Sequence, residues 1–493
     1  MKLFKFNYLP FFFIVLISLF KIINIDHIPI FLDEANYLSI SDNVRNNPRL
    51  VLESIKGGVM PGFIVVFSIF ETIFMPYANI LISGRIFSIT IDLINMFLVY
   101  KITRNLFNNK IALWAMIIYS IIPLNFFHSR FIMLEPFMIL SFLGSLYLLT
   151  SIIKKGIFAK PTIAYKPVFL LSLTLILSYI VKPLTLVNLP AFFILPYVKL
   201  FKINFKSVFK SQILIMFAFL VFLLPLFLLI SNFFAGGYAP KSPQSLLLTL
   251  KDNLFRLYLW LKIYYSFPII LFVVLGLVYG LYQKNLKAVW LLIWISSIFI
   301  LVSALGGKYF YPRHLFILGI PVSILLAWFT FEFEKIQKYV PILVICAIFF
   351  TFLKFDYQTI TNPLKASIPA EDRLQFFEDW PSGAGLKEAA NDLKMLSEQE
   401  VNIYVGDEPF FTWVLPNVYG VDSSKLTVIK NYTGGETGLD LSFVKGGENQ
   451  YVLLNREPYP PKYFQAEVVK AYPKAENRSI ILYKLISNNY QAF

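Results

Sequence analysis

The run Gln212-Ile213-Leu214-Ile215-Met216-Phe217-Ala218-Phe219-Leu220-Val221-Phe222-Leu223-Leu224-Pro225-Leu226-Phe227-Leu228-Leu229-Ile230-Ser231 decides the fold class. Wound as an α-helix rising ~1.5 Å per residue, it reaches across a ~30 Å hydrocarbon core without one charged side chain. Comparable apolar runs recur along the chain, at about 79–100, 111–127, 133–153, 167–181, 184–199, 267–283, 288–305, 315–331 and 340–354. Composition agrees. Of 493 residues, 57% are hydrophobic, 18% aromatic and 15% charged, against roughly 25% charged in a soluble domain. The mean hydropathy of +0.66 excludes a soluble enzyme, a disordered chain and a disulfide-stapled module. The sequence is that of a polytopic α-helical membrane protein.

The formal net charge of +15 is laid out in short Lys/Arg clusters between apolar runs, as cytoplasmic loops require. No basic stripe interleaved with stacking aromatics exists, so nucleic acid is excluded as a partner. The one cysteine, Cys346, lies in an apolar run and offers neither a disulfide nor a cysteine metal site. Near the start, Lys2 and Lys5 precede an apolar stretch from Leu9 to about Ile25 that ends without small residues for cleavage. It reads as a first transmembrane helix with a cytoplasmic N-terminus. Met60 to Met75 is apolar but short, holds Glu71 and follows Gly57-Gly58. Placing it as a re-entrant or surface-lying helix puts the clusters around Lys101, Lys154, Lys199, Lys284 and Lys335 all inside. The positive-inside rule therefore favours about eleven spans, with a C-terminal region outside the cell membrane.

Outer segments are then Asp26 to Pro76, Asn232 to Ser266 and Gly306 to His314. The expected domains are 1–355, transmembrane, with a first outer loop over 26–76, and 356–493, a small extracytoplasmic α/β domain. In the latter, strand-length runs stand at Val401–Val405, Leu426–Ile429, Tyr451–Leu454 and Ser479–Leu485. A helical pattern spans Gly385 to Leu396, with Leu386, Ala389, Ala390 and Leu393 on one face.

Ionisable residues gather at the outer ends of the spans. Asp33-Glu34 opens a helical stretch that continues through Tyr37 and Ile40; a carboxylate there can cap a helix or act chemically. In His128-Ser129-Arg130-Phe131-Ile132-Met133-Leu134-Glu135-Pro136, snorkelling explains Arg130 but not Glu135 beside a proline. Arg85 sits inside an apolar run with Asp92 seven residues on, too far along one helix to pair directly. Lys182-Pro183 interrupts two spans, and Lys308-Tyr309-Phe310-Tyr311-Pro312-Arg313-His314 forms a basic aromatic hairpin. Cations on the outer side run against the general trend, and together they suit a phosphate. The carboxylates with His27 or His128 are the residues that could take a divalent metal.

The order of Asp-Glu-x-x-Tyr at 33–37, Pro61-Gly62, Ser83-Gly84-Arg85 and Ser129-Arg130 with Leu134-Glu135-Pro136 resembles the GT-C glycosyltransferases. The nearer likeness is to the branch of protein O-mannosyltransferases and lipid A aminoarabinose transferases, glycosyltransferase family 39. It covers about 1–200 and continues through Lys182-Pro183 and Arg313-His314. Val59-Met60-Pro61 stands where many members have Lys-Pro-Pro, and Glu135 where Asp is common. The tail resembles neither lipid A transferases nor MIR domains; its Trp380-Pro381-Ser382-Gly383-Ala384-Gly385 resembles tails of bacterial and archaeal relatives.

The resemblance implies a GT-C fold in the cell membrane and a sugar donor linked to a polyprenyl or dolichyl phosphate. It implies an acceptor protein or glycan on the outer face. A phosphate on C1 already leaves readily, so the chemistry needs a base for the acceptor hydroxyl and cations for the departing phosphate. Asp33, with Glu34, is the expected base; Arg85, Arg130, Lys182 and Arg313 are the expected cations. Tyr37, Glu135, His128, Lys308 and His314 complete the candidate substrate site. One-base displacement at C1 inverts the anomeric centre. The alternative is a lipid-linked sugar transporter or flippase, which would show broken helices near the midplane rather than charges on one face.

Overall fold

The computed structural model describes residues 8–51, 61–74, 79–157, 165–200, 205–234, 243–305, 310–335, 337–429, 449–455, 464–474 and 478–488. The chain divides into two compact units. The first comprises Met1–Ile25, Pro48–Phe70 and Arg85–Pro369; the second comprises Asp26–Asn47, Glu71–Gly84 and Ala370–Phe493. The helices up to the last span are α1 (Leu9–Ile22), α2 (Leu32–Asn46), α3 (Pro61–Phe74), α4 (Ile80–Leu106), α5 (Asn109–Ile121), α6 (Pro123–His128), α7 (Leu134–Lys154) and α8 (Tyr165–Val181). They continue as α9 (Leu189–Leu200), α10 (Phe205–Phe234), α11 (Pro243–Tyr264), α12 (Ser266–Tyr282), α13 (Leu286–Leu305), α14 (Gly319–Phe333) and α15 (Val340–Thr361).

Among the described residues, six helices are long and apolar enough to cross a membrane: those beginning at Leu9, Ile80, Leu134, Leu286, Pro312 and Val340. A seventh candidate is the pair Leu247–Tyr264 and Ser266–Tyr282, bent by 109° at the break. The other expected spans fall on shorter apolar helices, Asn109–Ile121, Tyr165–Val181, Leu184–Val198 and Val208–Val221. Pro61–Phe74 is another short apolar helix of this kind. Most of these segments are apolar all round, which is what lipid on one side and protein on the other demands.

Three prolines in the first unit set where its helix ends turn. Pro123 follows Ile122 (φ −58°, ψ 122°) and starts α6. Pro183 follows Lys182 (φ −163°, ψ 122°), and Pro312 follows Tyr311 (φ −126°, ψ 154°). A residue before proline is pushed away from helical backbone, and proline itself is suited to the first position of the next turn. Two of the breaks have a cation directly beside the proline, Lys182 and Arg313, and the short helix begun by Pro123 ends at His128.

The second unit holds a five-stranded mixed sheet of β1 (Asn402–Gly406), β2 (Leu426–Ile429), β3 (Gln450–Leu454), β4 (Phe464–Pro473) and β5 (Ser479–Asn488). The strand order is β2-β1-β3-β5-β4, parallel on the β2–β1–β3 side and antiparallel from β3 to β4. Val452, Ile481, Tyr483 and Leu485 contribute to its core. The helical pattern at Gly385 to Leu396 becomes a helix over Leu386–Ser397, burying the four residues expected on one face. It starts at Gly385, whose φ of +82° and whose missing Cβ, 2.9 Å from the Tyr472 carbonyl oxygen had it existed, both require glycine. Four strands coincide with the apolar runs. The strand β4 was not expected: it is an edge strand with bulges at Gln465/Ala466 and Val468/Lys470 and exposed valines, so no apolar run announces it.

Candidate functional site

In the first unit, the start of α7 gathers five of the singled-out residues. Met133 is extended (φ −126°, ψ 148°), so α7 begins abruptly and Glu135 falls in its first turn, where a carboxylate suits the helix dipole. The Glu135 side chain is 3% exposed and accepts a hydrogen bond from Lys182 Nζ at 2.5 Å. Lys182 is held in its extended form by Thr185, whose N–H and Oγ1 both donate to the Lys182 carbonyl at 3.0 and 2.9 Å. Arg313 and His314 lie in the 3-10 turn Pro312–Leu318, where the Tyr311 N–H donates to His314 Nδ1 at 3.3 Å. The Arg313 guanidinium stands 5.3 Å from the Tyr311 ring centroid. Lys182 and Arg313 both act electrostatically on Glu135, and His314 lies in the field of Lys182, Arg313, Glu135 and His128. Lys308 lies outside the described residues.

Arg85 and Arg130 form a second group in that unit, both essentially without solvent exposure. Arg130 donates to the carbonyls of Lys21 (3.2 Å), Ile23 (2.6 Å) and Thr359 (2.9 Å), and Arg85 to that of Ile25 (2.6 Å). The two guanidiniums thus fasten the C-terminal end of α1, and Arg130 ties it to the last turn of α15. A helix C-terminus offers unpaired carbonyls and partial negative charge, so cations belong there. Burial, and after it the neighbouring Arg85, pushes the Arg130 guanidinium down to about 10, with Asp356 opposing; it stays charged at neutral pH. Three of its five N–H donors are used in these bonds.

Sequence reasoning left Asp92 without a partner. Its partner is Lys21, on α1: Lys21 Nζ lies 2.5 Å from Asp92 Oδ2 and donates to Ser129 Oγ at 2.8 Å. The Tyr119 hydroxyl donates to Asp92 Oδ1 at 3.0 Å. Asp356, also unremarked, is a buried carboxylate on α15 in the field of Lys21 and Arg130. The available signal was a lysine in one apolar run and an aspartate in another, since such charges seek one another inside a membrane protein.

In the second unit, α2 carries Asp33, Glu34 and Tyr37. Phe31 is extended (φ −97°, ψ 149°), and Glu34 Oε2 accepts the Phe31 N–H at 2.9 Å, so the Glu34 carboxylate reaches back to the backbone at the helix start. Glu34 is buried, whereas Asp33 and Tyr37, one turn apart on the same face, are half-buried. His27 Nε2 stands 3.6 Å from Asp26 Oδ2, on the exposed side. Among the described residues, no three His, Cys, Asp or Glu side chains converge to hold a metal ion. The residues therefore do not make up a metal site there, and no step through a metal is derived.

The apolar spans, together with the structural likenesses that follow, give the class: a multi-pass membrane protein of the GT-C fold. Within that class, residues 34–236 match the family model described as dolichyl-phosphate-mannose-protein mannosyltransferase, so the resemblance to glycosyltransferase family 39 stands. ArnT from Cupriavidus metallidurans in the apo state is similar in structure at a TM-score of 0.54 and 13% identity, covering 95% of this chain and 97% of that one. ArnT from the same organism bound to undecaprenyl phosphate gives 0.51 at 13% identity, covering 96% and 97%. The archaeal oligosaccharyltransferase AglB from Archaeoglobus fulgidus, in complex with an inhibitory peptide and a dolichol-phosphate, gives 0.50 at 13% identity, covering 91% and 69%. At such identities the likeness is one of fold. No curated protein matches the sequence.

Proposed function

We propose that the chain is an inverting glycosyltransferase that moves a hexosyl or pentosyl group from a polyprenyl phosphate to an acceptor hydroxyl, on a protein or a glycan, at the outer face of the cell membrane. The observation that carries this reading is the setting of one buried carboxylate, Glu135, among two cations, Lys182 and Arg313. Such a group has positive charge to offer a lipid phosphate, each charge-assisted hydrogen bond contributing about 1.5–3 kcal/mol. Undecaprenyl phosphate on ArnT and dolichol-phosphate on AglB, within the same fold, support a ligand of that chemistry.

In the reaction the acceptor oxygen attacks C1 of the sugar from the face opposite the phosphate. The C1–O bond breaks, its electron pair goes to the phosphate, and polyprenyl phosphate leaves. Asp33 takes the hydroxyl proton, with Glu34 holding the helix start on which Asp33 stands. Lys182 and Arg313 stabilise the phosphate as its charge grows, which lowers the barrier more than it tightens the ground state. Arg85 and Arg130 add fixed positive potential, and Tyr37, Glu135, His128, Lys308 and His314 contact the substrates.

The test is release of free polyprenyl phosphate by the purified chain in lipid vesicles, given a panel of polyprenyl-phosphate sugars and membrane-extract acceptors, with mass spectrometry of the products. A transferase releases the lipid phosphate and transfers the sugar with inversion; a transporter moves the intact lipid-linked sugar and releases none. Asp33→Asn keeps the side-chain volume and removes the base, so turnover should fall about 10²-fold or more with donor binding nearly unchanged. No release from wild type with any donor sinks the transferase reading, and Asp33→Asn turnover within twofold of wild type removes Asp33 from the base role.

A further inference from the structure

The segment Trp380-Pro381-Ser382-Gly383, which the proposed chemistry does not use, is bonded on one side to the start of α2 and on the other to the sheet. Towards α2, the Leu32 N–H donates to the Pro381 carbonyl at 2.9 Å and the Gly383 N–H donates to the Ile30 carbonyl at 2.8 Å. Phe31 and Ser382 thereby form an isolated antiparallel bridge, and the Phe31 ring packs on Phe376 with centroids 4.6 Å apart. A Cβ at position 383 would stand 2.5 Å from Ile30 Cγ2 and 2.9 Å from the Ile30 oxygen, so only glycine admits this approach. Leu32 N–H is one of the donors that a helix N-terminus leaves without an intrahelical partner. The tail supplies that partner one residue before Asp33.

Towards the sheet, the loop is gripped by Lys474, the residue following β4. Its ammonium is buried, the residue being 7% exposed, and it donates to the carbonyls of Asp379 (2.9 Å) and Ser382 (2.7 Å) and to Asn455 Oδ1 (2.6 Å). Asn455, at the end of β3, in turn donates from Nδ2 to the Trp380 carbonyl at 2.9 Å. The carbonyls of 379, 380 and 382 are thus turned to Lys474 and Asn455, which leaves that of 381 for Leu32. Three ammonium donors meet three acceptors. An ammonium is costly to bury, and a packed apolar side chain would brace a loop at no lower stability. What the ammonium adds is direction, since it fixes two carbonyls and an amide at once.

We infer that Lys474 is a positioning residue for the acid of α2: through the 379–383 loop it sets the backbone of Ile30–Leu32 and hence the place of Asp33. The inference rests on the reading of Asp33 as base, and makes the C-terminal sheet part of the transferase's catalytic geometry. A displacement of about 1 Å at a reacting group can cost ~10²-fold in rate. Lys474→Met should lower kcat by roughly 10- to 100-fold, leave the donor KM within about twofold, and raise amide hydrogen exchange across residues 30–35 at least about tenfold. In an Asp33→Asn background the same change should cost less than about twofold, because the group it positions is already gone. Equal fold losses in both backgrounds, or unchanged exchange at 30–35, overturn the inference. If Lys474→Met does not accumulate, Asn455→Ala carries the same measurements with smaller effects in the same direction. Wild-type turnover in Asp33→Asn would instead overturn the base assignment, and the exchange measurement then decides alone whether Lys474 sets the start of α2.

Discussion

Lys21 is the one charged residue of α1 and Asp92 the one acidic residue of α4; they are 71 positions apart, and each is fully buried. Alone, either would be an uncompensated ion in a medium of low dielectric. Together, with the Ser129 and Tyr119 hydroxyls completing the bonding, they form a closed polar knot between α1 and α4. Lys21→Met should therefore destabilise the chain by about 3–5 kcal/mol, since it strands the Asp92 carboxylate. Lys21→Met with Asp92→Leu should recover most of that loss, because an apolar pair of similar volume is tolerated where half an ion pair is not. Thermal unfolding in detergent, followed by the tryptophan signal, measures both variants; a double variant as unstable as the single one would show that the charges are not each other's main partner. Asp33, Glu34 and Glu135 drew notice in the sequence and Lys21 did not. The carboxylates stand next to recognisable turns and prolines, whereas a lysine near the end of a first span looks like an ordinary interfacial residue.

Among elements, β4 is joined to the helix Leu386–Ser397 by a polar contact at the rim of the sheet. The Lys470 ammonium donates to Asp392 at 2.6 Å and holds its carboxyl below the usual aspartate range, while the Tyr472 hydroxyl donates to the same oxygen at 2.8 Å. A carboxyl depressed in the folded state stabilises it above the unfolded pKa of about 3.9, and that contribution is lost as pH falls through the folded value. Asp392→Asn should accordingly lower the melting temperature slightly at neutral pH, and its difference from wild type should vanish in acid below the ordinary aspartate range. A difference that persists unchanged into strong acid would mean that packing, not the charge, links β4 to the helix. Salt should shrink the neutral-pH difference, as Lys470 is more than half exposed. Helix positions were legible because apolar periodicity is local, and the strand β4 was not, because Gln465, Glu467 and Lys470 interrupt its apolar residues before they form a run.

For the whole molecule, the count of charges between spans makes a testable statement about sidedness. In a Cys346→Ala background, a membrane-impermeant thiol reagent applied to intact cells should label Asn43→Cys and Glu400→Cys, and should miss Asn109→Cys and Gln283→Cys until the membrane is opened. All four positions are exposed in their own units, so access is limited by the membrane alone. Labelling of Asn109→Cys from outside, together with Asn43→Cys, would mean that Pro61–Phe74 crosses the membrane after all. The expectation rests on the Lys/Arg bias of the loops, a property summed over many residues and therefore insensitive to any single misplaced boundary.

Amino-acid order by itself determined the apolar helices, most of the strands, the helix Leu386–Ser397 and the residues that stand at the helix ends. These follow from runs, periodicity and proline breaks, all of which are set within a few residues along the chain. Only the tertiary structure decided the partners: Lys21 for Asp92, Lys182 for Glu135, backbone carbonyls for Arg85 and Arg130, and Pro381 for Leu32. A buried polar group must find a complement wherever packing brings one, and the surfaces that pack are separated by up to hundreds of residues, beyond the reach of any local pattern.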